Sequence, residues 1–160
     1  MRRVITGHRA GKSVIVDDSE VQAGWESFGR QIIPMWKTEA IPSIPLKQTD
    51  FDISVPPFGG LAFGESFANI TILPPDDKLI IAAKEAGVNV GEDHGMHTTE
   101  TVDMVTIVSG EVWLKLDNGE EVRLKAGDCV VQNGTNHAWH NRTGENCVLS
   151  VVMIGVQRDS

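Results

Sequence analysis

Cysteine is scarce in this chain, with two residues, Cys129 and Cys147, among 160. Two thiols do not make a staple framework, so they read as small buried residues of a cytoplasmic protein, with a single bridge open if their strands are neighbours. Long hydrophobic runs are lacking too, and no segment approaches the roughly 20 apolar residues of a membrane span. Met1-Arg2-Arg3-Val4-Ile5-Thr6-Gly7-His8 carries the charge of a secretory leader without the apolar segment behind it, so no leader is expected. Positive charge is in short supply, with 14 Lys and Arg against 22 Asp and Glu and a net charge of -8. That balance repels phosphate backbones and anionic membranes, and no Lys/Arg stripe interrupts it, which argues against a nucleic-acid partner.

What remains is an ordinary globular composition, 41% hydrophobic and 22% charged. The length predicts one domain, large enough to bury about 70% of its unfolded surface without a metal or a disulfide to hold it. Two parts differ in texture. Residues 1–73 read as an N-terminal arm and outer strands of the same domain, with short strand candidates at Val4–Thr6, Ser13–Val16, Gln31–Trp36 and Phe67–Leu73. Prolines at 34, 42, 45, 56 and 57 argue against central strands there, and Pro56-Pro57-Phe58-Gly59-Gly60 is a turn signal. Residues 74–160 read as the core of a barrel. They open on the one convincing helix, with Asp76-Asp77 at its start and Gly87 after its end, as the helix dipole and a C-terminal cap require. Short strands then follow at regular spacing: Val105–Ser109, Glu111–Leu116, Glu121–Lys125, Cys129–Gln132, His137–Asn141 and Cys147–Ile154. The Asn118-Gly119 pair marks a hairpin between the second and third. Such a series makes an all-β sandwich or barrel.

The chemistry is concentrated in His97-Thr98-Thr99-Glu100-Thr101-Val102-Asp103 and in Gly134-Thr135-Asn136-His137. Alternate residues of a strand share a face, so His97, Thr99, Thr101 and Asp103 are expected to line one wall, with His137 joining them from a later strand. A face that polar either meets water or encloses a site. Thr99 and Thr101 are read as strand formers with hydroxyls that satisfy neighbours. His140 falls out of phase with His137 and is expected to face outward, outside the site. His94, beside Gly95, is a loop imidazole able to swing toward the pocket, and Trp139 shares parity with His137 and forms an apolar wall.

These residues resemble the two signature segments of the cupin superfamily. Gly91, His97, Thr99, Asp103 and Gly110 stand at the spacing of the first segment, with Thr99 where the family has a second histidine and Asp103 where it has glutamate. Gly127, Gly134, His137 and Asn141 stand at that of the second, with Gln132 in its proline position. The resemblance spans residues 91–154 and is similar to single-domain cupins of bacteria and of fungal secondary-metabolite clusters. It implies a jelly-roll β-barrel around a small-molecule pocket. It also implies His97, Asp103 and His137 as ligands for one divalent ion, iron, zinc or manganese, since two imidazoles and one carboxylate form an open triad.

The expected function is an enzyme acting on a partly apolar carbonyl compound, by metal-assisted chemistry or by His97, Asp103 and His137 as acid and base, in a lyase, decarboxylase, isomerase or dehydratase reaction. The alternatives are a non-haem iron oxygenase and a metal-free ligand-binding module. The open strand edges and the N-terminal arm point to a homodimer.

Overall fold

The structure is a computed structural model that describes residues 1–45, 53, 60–91 and 94–157. In chain order its elements are β1 (Arg2–Arg9), β2 (Lys12–Glu20), β3 (Trp25–Ser27), β4 (Arg30–Thr38), β5 (Ser66–Leu73), α1 (Asp76–Glu85), β6 (Thr101–Ser109), β7 (Glu111–Leu116), β8 (Glu121–Lys125), β9 (Cys129–Asn133), β10 (His137–His140) and β11 (Cys147–Gly155). Among the described residues, β1 and β2 pair only with each other; β10-β7-β8 form a three-stranded sheet, and β3-β4-β5-β11-β6-β9 a six-stranded one. All pairings are antiparallel.

The two larger sheets pack through one apolar layer. Val105 and Ile107 of β6 and Leu149 of β11 meet Val112 and Leu114 of β7 and Leu124 of β8. Burial along β6 alternates, so Thr101, Asp103, Val105 and Ile107 point inward while Met104, Thr106 and Val108 are exposed. The inward row thus changes from polar to apolar along one strand, placing a polar end and a greasy body in the same interior. The fold is all-β with one short helix, as expected.

Four readings of the sequence are corrected. The strand carrying the polar row begins at Thr101, and His97 belongs to an isolated bridge with His137. Pro34 lies inside β4, second in its sheet; β3 covers only Arg30–Ile32, so the missing N–H falls on an uncovered stretch, at a register shift between Pro34 and Trp36. Cys129 is exposed and Cys147 buried, and both are free, because Cys129 ends up on the sheet edge. His140 is absent from the lining of the His137 cavity, yet it is 3% exposed, held against Asp76 at the start of α1 and against the His94 ring. The turn expected at 56–59 lies outside the described residues.

Two motif residues have plainly architectural causes. Gly110 turns β6 into β7 at φ +78°, where a Cβ would meet the Asn146 carbonyl oxygen at 2.8 Å and the Cys147 Cα at 2.9 Å. Asn141, 1% exposed, donates its amide to the carbonyls of Leu73 (3.0 Å) and Glu145 (2.8 Å), and its Oδ1 accepts from Thr143. It ties the end of β5 to the turn before β11. Helix α1 docks on the same corner: Asp76 N–H donates to the Asn141 carbonyl (2.8 Å), and Asn141 N–H donates to Asp76 Oδ1 (2.9 Å).

Candidate active site

A cavity of about 390 Å³ lies between the sheets. Its polar rim holds His97, Thr99, Asp103 and His137, and its apolar wall includes Val105, Trp139, Leu149 and Val151. Three predicted site residues, His97, Asp103 and His137, therefore surround one space. Thr101 is fully buried and its hydroxyl pairs with that of Thr99 at 2.7 Å. His94 is not among the lining residues; it stands edge-on to His140, ring centroids 4.7 Å apart.

His97 reaches the cavity through β10. Its N–H donates to the His137 carbonyl (2.9 Å), and the His137 N–H donates to the His97 carbonyl (3.0 Å). The rings lie 4.4 Å apart, and Trp139 meets His137 edge-on at 5.8 Å. Each imidazole is oriented by a main-chain oxygen: His97 Nδ1 by Gly95 at 2.7 Å and His137 Nδ1 by Thr135 at 2.9 Å. A carbonyl only accepts, so Nδ1 carries the proton in both rings and Nε2 is left with the lone pair when the ring is neutral. Burial holds the His137 pKa below that of a free imidazole, against the Thr135 bond and with the help of the His97 charge. Asp103 is 6% exposed, and its Oδ1 has no hydrogen-bond partner. Burial raises its pKa above the usual carboxylate value, with the Thr101 hydroxyl and the His97 charge opposing. The result is a buried neutral base beside a carboxyl group biased toward its protonated form.

Two imidazoles and a carboxylate are the donor chemistry of a divalent ion. Among the described residues, however, the group whose ligand atoms all lie within 4.8 Å of one another is Asp76, His94 and His140. His140 Nδ1 approaches Asp76 Oδ2 at 3.2 Å and His94 Nε2 approaches Oδ1 at 3.7 Å, too long for a hydrogen bond, and the buried His140 Nε2 has no hydrogen-bond partner. The donor types at His97, Asp103 and His137 suit a metal, but their spacing is wider than that of this second set.

Sequence reasoning missed Arg30. It lines the cavity from the first position of β4, in a half of the chain that carries no motif. It also missed Asp76 as the partner of His140, since 64 positions separate the two.

A polar rim on an apolar two-sheet interior is the arrangement of a cupin, and residues 85–154 match the cupin domain family. The match covers 70 of the chain's 160 residues, the segment that carries His97, Asp103 and His137. The cupin domain from Schizosaccharomyces pombe shares the fold at a TM-score of 0.52 and 10% identity, covering 96% of this chain and 87% of that one. "Phomopsin biosynthesis cluster protein C'" of Diaporthe leptostromiformis is 48% identical over 56 residues, 35% of this chain and 30% of its own length. "Cupin-domain-containing oxidoreductase virC" of Hypocrea virens is 41% identical over 58 residues, 36% and 30% of the respective chains. The likeness to these curated relatives thus spans about a third of their length.

Proposed function

We propose that this cupin is an enzyme acting on a partly apolar carbonyl metabolite, with His97, His137 and Asp103 moving protons at the carbon next to the carbonyl. The observation that carries this is the paired orientation of the imidazoles, both with Nδ1 bound to a main-chain oxygen and both lining the cavity that Asp103 also lines. In the step proposed, an imidazole Nε2 takes the α-proton, the bond electrons pass to the carbonyl oxygen as an enolate, and protonated Asp103 supplies a proton to that oxygen. Reprotonation at a different carbon, or loss of a leaving group, gives isomerisation or dehydration respectively. The test is deuterium uptake next to the ketone of medium-chain methyl ketones and of 9-oxodecanoic acid in D2O, followed by NMR. Exchange above the buffer rate that disappears in H97A and H137A supports the reading, and exchange unaltered by both substitutions sinks it.

A second reading is favoured by the relatives named as cupin-domain-containing oxidoreductases. Iron held by His97, Asp103 and His137 would supply redox chemistry and open positions for dioxygen. Elemental analysis discriminates the donor sets: iron lost in H97A but kept in H94A supports this reading, and the converse assigns the ion to Asp76, His94 and His140. Less than a tenth of an equivalent of any transition metal in protein supplied with iron, zinc and manganese argues for the metal-free proton chemistry.

We also infer a homodimer. The support is an exposed apolar row across the outer face of the six-stranded sheet, in which Val131 (62% exposed) stands opposite Met104 (44%) and Met104 opposite Val152 (38%). Light scattering on a sizing column tests it.

A further inference from the structure

Arg30 presents a guanidinium to a largely apolar cavity, and nothing in the proton-transfer reading uses it. Its Nε is buried and has no hydrogen-bond partner, and among the described residues no carboxylate lies within ion-pair distance of it. Asp76 is the acidic group whose field it feels. That carboxylate is already engaged, Oδ1 by the Asn141 N–H and Oδ2 by His140 Nδ1. A half-buried cation with free donors is costly to keep in a greasy wall, and an anion docking on it removes the cost.

Its position gives the shape of the missing partner. Ile32, two residues on, stands opposite Thr71, whereas Asp103 shares a row with Met153 and Phe67. From the Arg30 row to the Asp103 row is about six residues of strand, on the order of 20 Å along the backbone, shortened by the reach of the arginine side chain. Between them the wall is Ile32, Leu149, Val151 and Val105, with Trp139 from the facing sheet.

We propose that Arg30 is the anion-holding residue of this cavity and that its substrates are elongated monocarboxylic acids. The carboxylate sits on the guanidinium fork, the apolar middle on the aliphatic wall, and the reacting carbonyl at His97, Asp103 and His137. The planar fork matches a carboxylate with two parallel hydrogen bonds, which a lysine in its place cannot reproduce. This inference rests on the cavity being the active site, and it narrows the substrate class.

Calorimetric titration with octanoate and with octanamide, equal in length and differing in charge, tests it without a known substrate. Octanoate is expected to bind the wild-type protein at least tenfold tighter than octanamide. Arg30→Gln is expected to bring the two ligands level, Arg30→Lys to retain part of the preference, and His97→Ala to retain all of it. Equal binding of the two ligands to wild type, including none, overturns the proposal without needing any variant to fold, as does a preference that survives in R30Q. A preference for octanoate together with deuterium exchange indifferent to His97 would keep the anion site and discard the proton-transfer reading; the reverse pair of results would do the opposite.

Discussion

His97 and His137 are joined twice, by reciprocal main-chain hydrogen bonds of 2.9 and 3.0 Å and by rings 4.4 Å apart. The bridge lets a residue outside any strand share a cavity wall with one inside. Asp103 completes that wall from β6, two residues beyond the first strand position.

Asp103→Asn is expected to stabilise the protein and disable it. Burial raises the Asp103 pKa, so the native state retains this proton to higher pH than the unfolded chain does. Above the folded pKa the ionised carboxylate is a burden on the fold; below the unfolded value of about 3.9 the burden is gone. Urea midpoints of D103N should therefore exceed those of wild type at pH 7 and converge with them near pH 3.5, while kcat/KM falls by about 10² to 10⁴. A variant less stable than wild type at pH 7 contradicts this assignment.

Acid should weaken the fold through its buried histidines. Burial lowers the pKa of His137 and of His140, so the unfolded chain takes up protons first as pH falls through about 6.5. Stability is then lost between pH 7 and 5, with Asp103 opposing the trend at the lower end. His137→Asn should flatten the slope, as read from unfolding free energies at several pH values.

Asn141→Ala is expected to cost on the order of 2–4 kcal/mol, because it strands the buried Leu73 carbonyl and frees the turn through Glu145. A loss under about 0.5 kcal/mol in urea titration would mean that water replaces the amide there.

Thiol labelling should distinguish the cysteines. Cys129 is exposed, whereas Cys147 is fully buried with its pKa pushed up to about 11. One equivalent of a disulfide reagent should react with the native protein, and the second only on unfolding.

The fold was legible where local signals agree. Strands β7 and β8 follow the alternation of Val112, Leu114 and Leu116 and the Asn118-Gly119 turn, and both occur at the expected bounds. Pairing His97 with His137 was legible as convergence but not as a bridge, since alternate threonines imitate a continuous strand. Arg30 and the Asp76–His140 pair were not legible. Each depends on contacts between distant positions, and neither Gln31–Trp36 nor the helix start announces what lies across from it. For Cys129 the error was one of residue type: a thiol is usually interior, but nothing in its neighbours fixes which edge of a sheet it occupies.

The tether at residue 97 has a consequence for how such a protein changes over time. A segment fastened by two amides can be retailored without recasting the container beneath it, whereas residues 103 and 137 are woven into strands that hold the interior together. Folding therefore places few demands on the side chain at 97, which answers to the cavity alone.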